Sequence, residues 1–171
     1  RRMCPVKSIE DVFKPGGILS ERLDDFEHRP VQQEMAAAVA NAIGSGGQLV
    51  VEAGTGTGKT LAYLVPAILS GEKIVISTGT RNLQEQVFFK DIPFLRKTLG
   101  IDFPAVMLKG RSNYLCPPRL ARFLQTPMFK NDGEAKSWGS VYDWSKKTST
   151  GDRAELTDLP DDSSIWPQIC S

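Results

Sequence analysis

The feature that most constrains the fold of this chain is a glycine-rich segment at residues 53–60, placed between a short apolar run and a helical pattern. Glycines let backbone N–H groups point into such a loop, and the helix that follows adds the partial positive charge of its N-terminus. This combination predicts a loop that binds the phosphates of a nucleotide. The loop consists of Ala53, Gly54, Thr55, Gly56, Thr57, Gly58, Lys59 and Thr60.

The last two residues of the loop carry the predicted chemistry. Lys59 is placed to contact the β- and γ-phosphates, and the Thr60 hydroxyl is placed to bind Mg²⁺. We therefore predict that the loop binds ATP or GTP together with Mg²⁺, with Lys59 and Thr60 in the catalytic roles. The alternative is a glycine-rich turn that only links a strand to a helix, and the Lys-Thr pair disfavours it.

The distribution of apolar residues around the loop is typical of an α/β protein. Three short β-branched runs predict strands, and three longer segments with helical periodicity predict helices. Strands that alternate with helices of this length predict parallel βαβ units, and hence a three-layer P-loop fold with an incomplete parallel sheet. The predicted strands are 48–52, 73–77 and 105–108, and the predicted helices are 30–43, 58–69 and 81–97.

The alternation ends after Gly110, which predicts a domain boundary. We predict a lead-in segment at residues 1–25, part of the P-loop domain at 26–109, and the beginning of a second region at 110–171. Within that last region, two segments have helical patterns, around 118–124 and 137–147, and Trp138 and Trp144 are candidate core anchors.

The net charge of +1 excludes a protein that binds nucleic acid through its overall positive charge. Basic residues are nevertheless concentrated in one stretch without acidic residues, at Lys109, Arg111, Arg119, Arg122 and Lys130. No apolar run approaches the roughly 18 to 20 residues of a membrane-spanning helix, and the beginning of the chain lacks a secretion-signal pattern. We therefore expect a cytoplasmic protein that does not interact with membranes.

The three cysteines, Cys4, Cys116 and Cys170, form an odd and widely spaced set. In a chain without an export signal this pattern argues against a disulfide framework. Composition alone leaves metal binding and simple burial open.

From about Phe13 onward the chain resembles a known family, the XPD-like DNA helicases of the bacterial DinG and YoaA type. Four segments carry the resemblance in order: 26–35, 51–60, 76–86 and 108–116. The resemblance implies that 26–109 belongs to the first RecA-like motor domain and that the parent protein is an ATP-dependent DNA helicase of DNA repair or replication. It also implies single-stranded DNA as the partner, whereas protein partners are not indicated.

The first of these segments contains the family's adenine-reading element, which maps onto Arg29 and Gln32. An amide suits this role because adenine offers one donor, N6, and one acceptor, N7. Taken alone, Gln32 would be more typical of a surface position on a helix. Its position before the phosphate loop favours the adenine role instead.

The later segments carry the residues that the resemblance assigns to DNA. Ser77, Thr78 and Thr80 are implied to hold the backbone of single-stranded DNA, although they are equally compatible with capping the next helix. A set of cations interleaved with aromatic residues also suits a surface that neutralises phosphates and stacks bases. The cations are Lys109, Arg111, Arg119 and Arg122, and the aromatic residues are Tyr114, Phe123 and Phe129. A solvated basic helix face with aromatic residues in the core remains the alternative.

The resemblance further implies that Cys116 is the first of four cysteines that hold a [4Fe-4S] cluster, in a mainly helical insertion that begins after Gly110. Cys170 follows Pro167 by only three residues, too early for the second ligand of the family pattern. Cys4 lies in the lead-in segment and is a weaker candidate still. Without the resemblance, Cys116 would be typical of a buried small apolar residue.

Hydrolysis in a P-loop helicase also requires an acidic pair at the end of an apolar strand. Asp24-Asp25 and Asp161-Asp162 do not follow such strands, and the motifs of a second motor domain are absent. We therefore interpret the chain as the N-terminal piece of a longer helicase. The competing hypotheses are a P-loop phosphotransferase and a non-catalytic nucleotide-binding module.

Overall fold

The computed structural model describes residues 8–23, 26–157, 159–160 and 162–171. The interpretations made for Cys4, for the Asp24-Asp25 pair and for Asp161 therefore lie outside the described residues. The chain divides into two compact units, Arg1–Met107 and Leu108–Ser171, each of which has its own hydrophobic core.

The first unit is built from helices in its described part. Helices α1 to α5 and one π-helical turn follow one another along the chain, and the three predicted helices at 30–43, 58–69 and 81–97 are confirmed. The bounds are α1 Ile9–Phe13, α2 Pro30–Ser45, α3 Lys59–Ser70, α4 Arg81–Gln86, the π-helix Val87–Asp91 and α5 Ile92–Leu99.

The ends of α2 explain why this helix begins and stops where it does. Pro30 occupies the first helical turn, where a missing N–H costs nothing, and Gly46 takes a left-handed conformation with φ of 63° as the helix ends. Helix α2 packs against α3, and the small residues Ala36 and Ala62 are fully buried in the first unit's core. Pro66 lies inside α3 and is buried, and the helix continues beyond it to Ser70.

The predicted parallel sheet is not formed among the residues that the structure describes. Residues 48–52, 73–77 and 105–108 have no regular secondary structure there, and Val50, Val75 and Val106 are 97%, 90% and 93% exposed. A strand is stable only when a neighbouring strand satisfies its backbone hydrogen bonds. The apolar pattern therefore identified segments that are suited to a sheet, but it does not determine whether these segments form hydrogen bonds with neighbouring strands.

The second unit is also helical in its described part, and the helices predicted around 118–124 and 137–147 are confirmed. Two isolated antiparallel bridges join its beginning to later segments, Tyr114 to Asp152 and Leu115 to Cys170. The helical bounds are a 3₁₀ turn Arg111–Asn113, α6 Pro117–Gln125, α7 Asp132–Lys147, a second 3₁₀ turn Arg153–Glu155 and α8 Trp166–Ile169.

The core of the second unit is rich in aromatic side chains. Trp138 packs against Phe123 with ring centroids 4.7 Å apart, and Trp144 packs against Trp166 at 6.2 Å. Both predicted tryptophan anchors therefore contact the core, although each remains partly exposed at its edge.

Two carboxylates connect the loops of this unit to its helices. Glu155 accepts hydrogen bonds from the side chains of Thr150, Thr148 and Trp144, which together lower the pKa of the Glu155 carboxyl. Glu134 accepts from the Lys130 backbone and from Ser164, and these bonds lower the pKa of Glu134.

None of the helices in the described ranges combines the length and the apolar character that crossing a bilayer requires.

Candidate nucleotide-binding site

The phosphate loop lies between residue 52 and the beginning of α3. Gly56 and Gly58 both have left-handed backbones, with φ of 79° and 75°. Residues with a Cβ atom rarely adopt this conformation, so the loop requires glycine at these two positions. Gly58 is also the N-cap of α3, and the first turn of the helix begins directly after it, at Lys59.

A buried side chain of α2 forms a hydrogen bond with the backbone of the loop. Gln32 is only 8% exposed, and its Nε2 donates a hydrogen bond of 2.9 Å to the carbonyl oxygen of Gly58. The contact is so close that a Cβ atom built at position 58 would collide with Gln32 Nε2. The absence of a side chain at Gly58 is therefore required both by the backbone conformation and by the packing of Gln32.

Arg29 supports a second carbonyl of the same loop. Its guanidinium donates to the carbonyl oxygen of Gly56 and, from Nη2 and Nε, to one carboxylate oxygen of Glu27 at 2.9 and 3.2 Å. Because the Arg29–Glu27 pair is substantially exposed, we assign it an orienting role rather than a large contribution to stability. The two residues of the predicted adenine element thus both contact the phosphate loop.

The two catalytic candidates lie at the start of α3, where helix amides and a cation are close together. Lys59 Nζ donates to the carbonyl oxygens of Ala53 and Gly54 at 2.7 and 2.5 Å, so its ammonium group lies against the loop. The Thr60 hydroxyl interacts with Tyr63, one turn further along α3. Burial raises the pKa of the Tyr63 hydroxyl, and the interaction with Thr60 partly opposes that increase.

The remaining loop residues complete a compact turn. Thr57 Oγ1 donates to the carbonyl oxygen of Gly54 at 3.0 Å, while Thr55 is exposed at the tip. A loop of this shape presents backbone amides, one ammonium group and one hydroxyl within a few residues. These groups are suited to binding phosphate oxygens and a divalent cation.

The hydroxyl-rich motif at the start of α4 is confirmed as a helix cap. Thr80 is the N-cap residue, and its hydroxyl oxygen accepts from the backbone N–H of Leu83 at 3.2 Å. Thr78 Oγ1 donates to the carbonyl oxygen of Thr80 at 3.1 Å, and Ser77 is exposed. The contact of these residues with DNA stays a prediction.

Lys109 differs from the expectation of a surface cation. Its side chain is only 3% exposed, and its Nζ lies 2.9 Å from the carboxylate of Asp152. The bridge between Tyr114 and Asp152 brings this partner into place, and the Tyr114 hydroxyl also accepts from the Lys109 backbone. Lys109 is therefore neutralised inside the second unit, whereas Arg111 is exposed.

The second unit brings the segments of two cysteines together. Cys116 is the N-cap of α6, and its backbone N–H donates to the Ile169 carbonyl oxygen at 2.8 Å. Cys170 follows directly and is paired with Leu115. Both are free thiols, and no group of three or more potential metal ligands occurs among the described residues.

Comparison with known proteins identifies the family of the segment that contains the loop. Residues 29–113, which include the Arg29/Gln32 element and the phosphate loop, match the family of DEAD/DEAH box helicases. The chain is 43% identical to the ATP-dependent DNA helicase YoaA of Haemophilus influenzae and 42% identical to YoaA of Escherichia coli, in each case over 95% of this chain and 26% of the relative. It is 38% identical to the ATP-dependent helicase DinG of Mycobacterium tuberculosis over 81% of this chain and 24% of that relative.

The site and the comparisons define the chain as a P-loop protein of the RecA-like class. The chain belongs to the DEAD/DEAH box helicase family, and its similarity to YoaA and DinG relatives extends over most of its length. It spans about a quarter of the length of these curated relatives.

Sequence reasoning missed several residues that shape the site. Tyr63 contacts Thr60, and Glu27 orients Arg29. The helical spacing of three residues between Thr60 and Tyr63 could have indicated the first contact. The Asp152 partner of Lys109 had no local signal, because the two lie 43 positions apart in the sequence.

We predict that Gly58→Ala lowers the free energy of unfolding of the nucleotide-free chain by at least about 1–2 kcal/mol, the cost of a left-handed backbone for a residue with a side chain. The measurement is chemical denaturation. Gly54→Ala is the matched control, because a Cβ atom there meets no neighbour and the residue does not have a left-handed φ. In a Gln32→Ala background the loss from Gly58→Ala should shrink, and an unchanged loss would contradict the packing argument.

Proposed function

We propose that this chain is the nucleotide-binding part of an ATP-dependent DNA helicase that couples ATP hydrolysis to unwinding. The observation that supports the proposal most strongly is the phosphate loop supported at Gly56 and Gly58 by Arg29 and Gln32. The same residues fall in the segment that matches the helicase family. A phosphotransferase or a non-catalytic module would not require this element together with the later helicase motifs.

In the proposed mechanism the loop residues bind and orient ATP. Backbone amides of residues 54–59 and the N-terminus of α3 would bind the phosphates, and the Thr60 hydroxyl would hold Mg²⁺. Lys59 would exchange its contacts with the Ala53 and Gly54 carbonyls for the β- and γ-phosphates. Its positive charge then stabilises the charge that develops on the transferring phosphoryl group.

We predict that Lys59→Ala in the full-length helicase lowers ATP turnover at saturating ATP and single-stranded DNA by about a hundredfold or more. The reason is that no other cation of the loop could stabilise the transferring group. Lys97→Ala is the control, because Lys97 is an exposed lysine of α5 away from the loop. Turnover within tenfold of wild type would contradict the role of Lys59.

The proposed role of Gln32 in adenine recognition gives a separate test. Gln32→Ala should weaken binding of ATP more than GTP, by about 1–3 kcal/mol, since a paired amide contact to adenine is lost. Gln33→Ala on the same helix is the control for loss of an amide. Equal losses for both nucleotides would show that the bond from Gln32 to Gly58 is the whole of its contribution.

The proposal includes a parallel sheet in the full-length helicase. The composition of buried strands is found in the segments 48–52, 73–77 and 105–108. Burying their exposed valines in a sheet that is covered on both faces would stabilise the fold. The carboxyl ends of two of these segments would bring the phosphate loop and the segment 77–80 to one edge.

The proposed DNA contacts are to the backbone of a single strand. Ser77, Thr78 and Thr80 would contribute hydroxyl and amide groups, and Arg111 would contribute an exposed cation. We exclude Lys109 from this surface because its side chain is buried and paired with Asp152. Since the relatives are bacterial DNA helicases, we place the protein in the bacterial cytoplasm with a role in DNA repair or replication.

A [4Fe-4S] cluster fits the second unit in part. Such a cluster supplies iron coordinated by four thiolates, and the described residues offer Cys116 and Cys170 on paired segments. At least two further thiolates would have to come from residues outside those described. The bridge places Cys170 opposite Leu115, so the Cys116 side chain, one residue further on, leaves the other face of the pairing. This geometry agrees with the expectation from the spacing after Pro167 that Cys170 is not the second ligand.

We predict that Cys116→Ser in the full-length helicase loses its iron, because serine is a poor replacement for a thiolate ligand. Iron content and the brown absorbance of the purified protein are the measurements. Cys170→Ser is the comparison variant. Loss of iron in both variants would identify Cys170 as a ligand. Loss in Cys116→Ser alone would show that Cys170 is not a ligand, as its spacing after Pro167 predicts. Full iron content in Cys116→Ser would contradict the cluster site.

A further inference from the structure

We propose that Arg119 is a positioning residue that holds the backbone of residues 167–170 and thereby fixes Cys170 beside the segment of Cys116. The geometric part of the inference does not depend on the proposed cluster. Only its consequence for iron binding rests on the proposed function.

The contacts of Arg119 are to two backbone carbonyls at the end of the second unit. Its Nη1 donates to the carbonyl oxygen of Cys170 at 2.8 Å, and its Nη2 donates to the carbonyl oxygen of Pro167 at 2.7 Å. Helix α8 ends at Ile169, so carbonyls in this region have no partner within the helix. The planar guanidinium, with several donors in a fixed arrangement, matches two such acceptors at once.

Arg119 is attached to the same helix that Cys116 begins. Cys116 is the N-cap of α6, and Arg119 lies three residues further on, in the first turn. One rigid element therefore carries both the Cys116 backbone and the group that holds the Cys170 carbonyl. Because α6 begins with two prolines, the path from Cys116 to Arg119 has little backbone freedom.

Other bonds hold the 166–171 segment at different points, among them those from Gln168 Nε2 to the Ser164 and Met128 carbonyl oxygens at 2.9 and 3.2 Å. The Trp166 indole donates to the Ser112 carbonyl oxygen at 2.7 Å, at the beginning of the segment. Two backbone bonds, from Cys116 to Ile169 and from Ser171 to Tyr114, form the short antiparallel pairing. The Arg119 bonds connect the Pro167 carbonyl, in α8, to the Cys170 carbonyl, in the pairing. They therefore hold the backbone of Cys170, the residue at which α8 ends.

Cys170 itself is 7% exposed and lies in the hydrophobic core of the second unit. A buried thiol reacts with an alkylating reagent only when the local structure opens. The alkylation rate of Cys170 therefore reports directly on how firmly residues 167–170 are held. Cys116 is half-buried and serves as an internal reference in the same molecule.

The test uses the metal-free full-length protein and compares Arg119→Ala, Arg119→Lys and Arg122→Ala. Each variant is treated with iodoacetamide, and the modification of each cysteine is followed by peptide mass spectrometry. We expect Arg119→Ala to increase the alkylation rate of Cys170 about tenfold, since two charge-assisted hydrogen bonds are lost. Arg122 is an exposed arginine of the same helix, and Arg122→Ala should leave the rate unchanged.

The lysine variant separates positioning from general stability. A single ammonium group keeps the charge but lacks the planar geometry that reaches both carbonyls, so Arg119→Lys should give an intermediate rate. If Arg119→Ala unfolds the unit, both thiols will react rapidly, and the Arg119→Lys variant then tests the role of Arg119 in the folded protein. A Cys170 rate equal to wild type in Arg119→Lys would then overturn the proposal, as would an equal rise in Arg122→Ala.

A second measurement connects the inference to the cluster. In protein purified with iron, Arg119→Ala should lose iron to a chelator faster than wild type, and Arg122→Ala should not. If wild type holds no iron, the proposed cluster fails while the alkylation result still decides the role of Arg119. If iron is bound and Arg119→Ala changes neither its release nor the alkylation of Cys170, the proposal is wrong.

Discussion

The contact between Gln32 and Gly58 is the interaction on which the first unit most depends. It joins a buried position of α2 to the residue that caps α3, so the packing of these two helices and the shape of the phosphate loop are linked. Any change that separates α2 from α3 also removes the support of the loop carbonyl. The family element before the loop is therefore structural as well as a candidate for reading the base.

Three charged residues of the second unit hold its own segments together, and Lys109 is the buried one among them. Lys109 pairs with Asp152, Arg119 holds two carbonyls, and Glu155 collects three hydrogen bonds from side chains. Burying one partner of such a pair without the other is costly, because an unpaired charge then loses its hydration. Within the basic stretch Lys109 is therefore lost as a surface cation, whereas Arg111, Arg119, Arg122 and Lys130 remain exposed.

The segments predicted as strands show the limit of pattern-based inference most clearly. Their β-branched composition describes residues suited to a sheet that is covered on both faces. Val50, Val75 and Val106 are instead almost fully exposed. The helices, in contrast, satisfy most of their backbone hydrogen bonds within one segment, and their predicted positions are close to those observed.

The sequence by itself determined the helices, the phosphate loop and the helicase family, because each depends on residues that are neighbours in the chain. Gly56 and Gly58 with Lys59 and Thr60 are sufficient to identify the loop. Only the tertiary structure decided which distant groups meet: Gln32 with Gly58, Lys109 with Asp152, and Arg119 with Cys170. Such pairs are set by how helices and turns pack, and packing depends on shape and burial across the whole unit rather than on local spacing.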